Sequence, residues 1–156
     1  MAKKLKFVFS RGGELHADLL EEDAPVTCRL FLEQCPRTMK MIHCVSACHE
    51  LTTDDIPSSE PIPEENLIHF GKVGDVATVS GNQSSTLTGL EEIGYTTLCF
   101  VYGPHQRFQG TGMQSNRATV FARIKENLDL LHEIGHRIRI HGEEDFTMSS
   151  YETEEE

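Results

Sequence analysis

The chain contains one motif whose residue types and spacing suit a metal ion. His132-Glu133-Ile134-Gly135-His136 has the pattern HExxH. On a helix, histidines four residues apart lie on one face and can bind zinc, with the glutamate as a general base. Gly135 argues against this, because glycine commonly ends helices and would leave His136 beyond the last turn. We therefore predict a helix end whose histidines interact with the helix dipole, with no metal and no other cofactor.

A second group, Cys44, Cys48 and His49, also carries atoms that bind metals. No further ligand pair at zinc-finger spacing accompanies it, and the five cysteines of the chain include no CxxC unit. We interpret the cysteines as small buried thiols in a reducing compartment.

A third group follows a predicted strand. Arg107-Phe108-Gln109, with His105 before it, places a cation, an aromatic ring and an amide in the glycine-rich segment 103–116. Loops on rigid scaffolds commonly carry binding residues, although a loop arginine can also be simply solvated. We predict that aromatic side chains form an apolar wall here and that Arg107 donates to an anion or a carbonyl group. The predicted ligand-binding residues are Phe100, Tyr102, His105, Arg107 and Phe108.

The elements that would position these groups begin with a hairpin. Residues 5–9 and 14–19 alternate apolar and polar side chains, which is typical of half-buried strands. Gly12 and Gly13 lie between them and accept positive φ without a Cβ clash. The sequence therefore predicts a β-hairpin.

A helix is predicted directly after this hairpin. Asp23 can cap it, and Pro25 suits its first turn because the missing N–H has no partner there. Apolar side chains recur at three- and four-residue intervals up to Cys35, and Pro36 stops the helix.

The order of these elements resembles the cyclophilins, the peptidyl-prolyl isomerases. Five residues fall at the intervals of the cyclophilin opening segment: Gly13, Leu19, Pro25, Thr27 and Phe31. Residues 120–126 are similar to the cyclophilin strand that leads into the second helix, whereas residues 40–117 match poorly. The resemblance is closer to uncharacterised bacterial proteins with a cyclophilin-like barrel than to true isomerases. It implies a mainly β fold, a closed antiparallel cyclophilin-like barrel with two helices.

The rest of the chain is divided into short strands. They are predicted within residues 39–48, 67–70, 73–79, 95–102, 119–124, 137–141 and 145–148, with the second helix over 127–134 ended by Gly135. Many short strands with two helices favour a capped barrel, and an open α+β sandwich is the alternative. Residues 50–66 are rich in proline and carboxylates, which predicts a long loop, either a flap over a pocket or a tolerated insertion.

The predicted domain covers residues 1–148. Residues 149–156 are acidic and poor in apolar side chains, so we expect a disordered tail.

The residues that carry isomerase activity in cyclophilins are not matched. The resemblance implies an arginine, a phenylalanine and a glutamine on a central strand, but no arginine lies between Arg37 and Arg107. The chain has no tryptophan, and Ala118 stands where cyclophilins have a histidine. The fold resemblance therefore does not imply the activity.

Composition limits the classes of partner. The formal net charge of −11 disfavours nucleic acid and anionic membrane surfaces. No apolar segment follows the basic start of the chain, so we expect no signal peptide and a cytoplasmic protein. We predict a protein that binds a small molecule or an extended peptide, with a homodimer permitted. An isomerase with a relocated arginine and a zinc hydrolase that uses His132, Glu133 and His136 are the alternatives.

Overall fold

A computed structural model describes residues 2–44, 48–53, 56–80, 96–104, 106–108 and 117–154. Within these ranges the helices are α1 (Pro25–Glu33) and α2 (Leu128–His141), and neither has the length and apolar content needed to cross a membrane. The strands are β1 (Ala2–Phe9), β2 (Glu14–Leu19), β3 (Arg37–His43), β4 (Glu50–Thr53), β5 (Leu67–Ile68), β6 (Phe70–Gly71), β7 (Asp75–Ser80), β8 (Thr96–Val101), β9 (Gln106–Arg107), β10 (Ala118–Arg123) and β11 (Glu144–Thr153).

Eight of these strands close into an antiparallel barrel. The order is β2-β1-β11-β3-β4-β8-β7-β10, and β10 pairs back with β2 through Ala122–Leu19 and Arg123–Asp18. β5 adds to the edge of β10, while β6 and β9 form a separate two-stranded ribbon. Closure pairs the strand edges with each other. The predicted closed barrel is confirmed, and the open sandwich is wrong.

The hairpin that was predicted at the start of the chain is present. β1 and β2 pair from Lys4–Asp18 to Val8–Glu14, and Gly12 and Gly13 have φ values of 112° and 109°. The apolar face of β1 points into the barrel, where the Phe7 ring lies 4.7 Å from that of Phe100. The alternation of apolar and polar residues along β1 therefore predicted its buried face correctly.

The cap of α1 differs from the prediction. Ala24, not Asp23, precedes the first turn, and it makes no side-chain capping bond. Instead, the Glu65 carboxylate accepts the main-chain N–H groups of Val26 at 3.2 Å and Thr27 at 3.0 Å. A carboxylate at this position also interacts favourably with the helix dipole.

The described residues of the segment 50–66 are attached to the barrel by a strand and by buried side chains. Its first residues form β4, and Ile56 and Ile62 are each 2% exposed in the core. Arg29 of α1 pairs with Glu60 at 3.0 Å. The predicted loop is present over residues 56–66, which hold no helix or strand, whereas residues 50–53 form β4. The expectation that the segment adds little to the core is wrong, because Ile56 and Ile62 are buried.

Helix α2 continues through Gly135 to His141, so the predicted helix end and the predicted strand over 137–141 are both wrong. Leu131, Ile134 and Ile138 are buried at three- and four-residue spacing, which maintains one apolar face along the whole helix. Gly135 sits inside the helix because a Cβ there would lie 2.3 Å from Cγ of Tyr102. Packing against this ring, not helix termination, explains the glycine.

Strand β11 also extends further than predicted. It pairs with β1 from Phe9–Phe146 to Ala2–Thr153, so a disordered tail that begins at residue 149 is wrong. Hydrogen bonds to the main chain of β1 order this polar segment, and Tyr151 adds a contact to His16 at 2.7 Å. Residues 155 and 156 lie outside the described ranges.

A buried carboxylate ties the hairpin turn to both α2 and β11. Arg11 Nε donates to Glu144 Oε1 at 2.8 Å, and Arg137 Nη2 donates to Oε2 at 2.7 Å. The same two guanidinium groups also donate to the carbonyl oxygens of Gly142 and Gly12. The Glu144 side chain is 0% exposed, so its charge depends on these donors instead of water.

We expect Glu144→Gln to lower the free energy of unfolding by about 3 kcal/mol, because it leaves two guanidinium groups without a counter-charge. Glu143→Gln is the matched control. Its side chain is 59% exposed and pairs weakly with Lys40, so we expect a change within about 0.5 kcal/mol. Urea unfolding of both variants measures the difference, and equal effects would show that the triad is not a structural anchor.

Candidate functional site

Tyr102, which follows β8, is the centre of a polar network at one end of the barrel. Its residue surface is 2% exposed, and its hydroxyl lies 2.7 Å from His43 Nε2. His43 Nδ1 lies 2.9 Å from the carbonyl oxygen of Cys44, so Nδ1 carries the proton and Nε2 accepts from the tyrosine hydroxyl. The network therefore uses a neutral imidazole and a neutral phenol.

The surroundings of the pair favour these neutral forms. Burial lowers the pKa of His43, and the nearby Arg139 and His49 act in the same direction. Burial also raises the pKa of Tyr102, although Arg139 opposes that shift. A neutral donor and a neutral acceptor suit a structural hydrogen bond.

Two more histidines complete the network around the Tyr102 ring. His49 meets the ring edge-on at 5.3 Å and uses Nδ1 to bind the Pro104 carbonyl at 2.8 Å. His132 of α2 lies 5.7 Å from the ring and bonds the Tyr102 carbonyl oxygen at 3.3 Å. The network thus joins β3, the residues before β4, the end of β8 and α2.

The HExxH residues now have a defined position. Because α2 runs through Gly135, His132 and His136 do lie on one helix, contrary to the predicted helix end. His132 already uses Nδ1 in the Tyr102 network. Across the part of the chain that the structure describes, no three histidine, cysteine, aspartate or glutamate side chains are grouped to hold a metal. A catalytic zinc usually has three protein ligands. The described residues around the HExxH motif do not provide such a set.

The five cysteines are free thiols in different environments. Cys28 and Cys99 are buried, and burial raises the pKa of Cys28 to about 12, so it stays protonated. Cys48 is exposed, which makes the prediction of a buried thiol wrong at that position.

The residues predicted to bind a ligand lie in three separate places. Phe100 is 0% exposed in the barrel core, so its ring offers no surface to a ligand, and Tyr102 belongs to the histidine network. Phe108 is 1% exposed and packs with Val101 on the other side of the barrel wall. Arg107 lies on β9 opposite Phe70, and its side chain, like all of His105, falls outside the described part. Their shared role as ligand contacts stays a prediction.

An open groove lies beside β3. We call it the β3 groove: it has a volume of about 420 Å³ and is lined by Arg37, Thr38, Met39, Lys40, Thr53, Ile56 and Asp145. Met39 and Ile56 form an apolar floor with exposures of 9% and 2%. Of the predicted ligand contacts whose side chains the structure describes, Phe100, Tyr102 and Phe108, none lines it. Sequence reasoning missed it because it depends on the pairing of β3 with β11 and on the folded position of Ile56.

Comparison with known proteins places the chain in a family. The family described as protein of unknown function, DUF3830, matches residues 8–150. The chain belongs to the DUF3830 family. No curated protein matches this DUF3830 chain.

Solved structures similar to this DUF3830 protein share its barrel. McbB, solved in complex with tryptophan, is 16% identical with a TM-score of 0.66, over 93% of this chain but only 44% of McbB. The hypothetical protein AF2241 from Archaeoglobus fulgidus is 17% identical with a TM-score of 0.55, over 95% and 94% of the two chains.

A third similar structure is a cyclophilin-type peptidyl-prolyl cis-trans isomerase from Cryptosporidium parvum. It is 10% identical with a TM-score of 0.60, over 98% of this chain and 99% of the isomerase. At these identities the likeness shows the fold alone. The predicted cyclophilin-like fold is confirmed.

We expect Gly135→Ala to destabilise this DUF3830 protein by about 1–2 kcal/mol, although alanine favours helices by about 1 kcal/mol over glycine. The added Cβ would enter the Tyr102 ring. In a Tyr102→Ala background the same change should instead be stabilising, because the obstacle is gone. Denaturant unfolding of the four proteins in this cycle measures the coupling, and a destabilisation of equal size in both backgrounds would contradict the ring contact.

The lowered pKa of His43 predicts a pH dependence of stability. The unfolded chain takes up a proton near the ordinary value of 6.5, whereas the folded protein resists it until a lower pH. The contribution of neutral His43 is therefore present above pH 6.5 and is lost as the pH falls from 6.5 towards the folded pKa. His43→Gln should reduce this loss in unfolding experiments at a series of pH values. The exposed His136→Gln should keep it, and identical curves for His43→Gln and the wild type would sink the assignment.

Proposed function

We propose that this DUF3830 protein binds a small molecule or a short peptide in the β3 groove. The observation that carries the proposal is the groove itself. Its volume lies within the range of about 300–1,000 Å³ that is usual for ligand sites, and it combines an apolar floor with charged side chains of both signs. Such a lining can bury the apolar part of a ligand and orient its polar groups.

Two of the similar structures were solved with small molecules of a size that the β3 groove could hold. McbB was solved with tryptophan, and the Cryptosporidium parvum protein was also solved with the dipeptide Ala-Pro. Tryptophan and Ala-Pro are molecules of those two structures. The two proteins are only 16% and 9% identical to this chain. The size of tryptophan and Ala-Pro makes them suitable first probes.

A second candidate function is prolyl isomerisation with a relocated arginine. The fold likeness to a cyclophilin-type isomerase favours it, and Arg107 on the β6–β9 ribbon is the arginine that the sequence suggested. A pair of variants separates the two proposals, because Thr38 lines the β3 groove whereas Arg107 lies on β9.

We expect L-tryptophan or Ala-Pro, at about ten times its dissociation constant, to raise the melting temperature by about 3–6 °C. Thr38→Trp places a large ring in the groove and should abolish this shift. Ile140→Trp adds the same ring at a position of α2 that is 61% exposed and is not among the described residues of the groove lining, so it should keep the shift.

Arg107→Ala should also keep the shift. If Arg107→Ala abolishes it while Thr38→Trp does not, the binding site is on the ribbon and the β3 groove is not the site. Acceleration of proline-peptide isomerisation that disappears in Arg107→Ala would favour the second function.

A further inference from the structure

Three side chains on the outer face of the barrel form a continuous hydrogen-bonded series. His16 Nδ1 lies 2.7 Å from the Tyr151 hydroxyl, and His16 Nε2 lies 2.7 Å from Glu14 Oε2. The rings of His16 and Tyr151 meet edge-on, with their centroids 5.4 Å apart. The imidazole therefore stands between a phenol and a carboxylate. We call these three residues the Tyr151 relay.

The strand register places the relay across β1. His16 of β2 stands opposite Lys6, and Tyr151 of β11 stands opposite Lys4, so the His16 side chain spans β1 to reach the tyrosine. Residues that stand opposite each other in an antiparallel pair point to the same face of the sheet. Phe7, which alternates with these lysines along β1, is buried inside the barrel. The relay is therefore held on the outer face by three paired strands.

The partners of His16 determine the role of each ring nitrogen. A carboxylate oxygen can only accept a hydrogen bond, so Nε2 carries a proton and donates to Glu14. In the neutral imidazole Nδ1 is then the acceptor, and the Tyr151 hydroxyl donates to it. This is the arrangement of a nucleophile, a general base and a group that orients the base.

A second tyrosine–histidine pair in the chain serves as an internal comparison. The Tyr102 hydroxyl lies at the same distance, 2.7 Å, from His43 Nε2. That histidine is oriented by a main-chain carbonyl oxygen instead of a carboxylate, and Tyr102 is 2% exposed. In the relay, the side chains of His16 and Glu14 are 38% and 51% exposed, and Tyr151 is half-buried. The relay is therefore open to reagents in solution, whereas Tyr102 is not.

We propose that Tyr151 is a site of acyl transfer, at which its hydroxyl accepts an acyl group from an activated ester. The Tyr151 oxygen attacks the carbonyl carbon, and the bond between that carbon and the leaving oxygen of the ester breaks. His16 Nδ1 takes the phenolic proton and passes it to the leaving oxygen or to water. The Glu14 carboxylate positions His16 and balances the charge of the imidazolium. The products are an O-acyl tyrosine and the released alcohol, with no change of oxidation state.

Acetylation by p-nitrophenyl acetate tests the proposal, because p-nitrophenolate is a good leaving group and its release is coloured. Mass spectrometry of peptides locates the acetylated residues. We expect Tyr151 to react about 100 times faster than N-acetyltyrosinamide in the same buffer, since a positioned general base contributes at least this much. Tyr102 should stay unmodified while the protein is folded. Tyr151→Phe should remove the acetylation at this position and keep the fold.

Substitutions in the relay separate general-base catalysis from simple exposure. His16→Gln keeps a hydrogen-bonding side chain that is not a base, and it should lower the rate at Tyr151 about 100-fold. Glu14→Gln should lower the rate about tenfold, because the imidazolium loses its counter-charge. Glu14→Asp restores the carboxylate and should recover most of that loss. Urea unfolding of each variant checks that the fold is unchanged.

The matched controls change the same residue types away from the relay. His136→Gln and Glu143→Gln alter exposed side chains on α2 and directly before β11. Tyr151 should react at the wild-type rate in both variants. A rate in either control as low as in the corresponding relay variant would contradict a specific role for His16 or Glu14.

Three results would overturn the proposal. The first is a rate at Tyr151 no greater than that of N-acetyltyrosinamide, and the second is an equal rate in the wild type and His16→Gln. The third is acetylation confined to lysine amines or to the exposed Cys48 thiol, because these nucleophiles do not need the relay. The relay residues are not among the described residues that line the β3 groove, so failure of ligand binding there leaves this proposal unaffected.

Discussion

The buried charge of Glu144 is the constraint on which much of the architecture depends. A carboxylate with no access to water must be matched by donors, and here the hairpin turn and α2 each supply an arginine. These contacts fix the point where β11 begins, and β11 pairs with β1 on one side and β3 on the other. Because Asp145 is the next residue, the same anchor also sets the position of one charged wall of the β3 groove.

The contact between α2 and Tyr102 depends on the close approach of uncharged groups. Glycine inside a helix costs about 1 kcal/mol relative to alanine, yet only glycine leaves room for the ring. In return the tyrosine connects α2 to β3 through His43. Of the two histidines in the HExxH motif, His132 contacts the Tyr102 ring and bonds its carbonyl oxygen, whereas His136 is exposed on the same helix.

The parts of the fold that were predictable have local signals. Alternation identified β1 and β2, paired glycines identified the turn, and Pro25 marked the start of α1. The errors arose where distant residues decide the outcome. Glu65 caps a helix from across the chain, β1 orders the polar end of β11, and the Tyr102 ring turns Gly135 from a stop signal into a helix-interior residue.

The candidate site was less predictable than the fold for the same reason. The alternation of β8 shows that Phe100 and Val101 face opposite sides of the barrel wall, but composition does not reveal which side a ligand can reach. The β3 groove joins residues of β3 with Thr53, Ile56 and Asp145, and no sequence spacing connects them.

The central claim is that the β3 groove is the ligand site, and amide chemical-shift mapping with Ala-Pro tests it most directly. We expect saturable shifts concentrated at residues 37–40, 53, 56 and 145. Shifts centred on Tyr102 and residues 106–108, with the groove amides unmoved, would contradict it and return the search for the site to the end of β8.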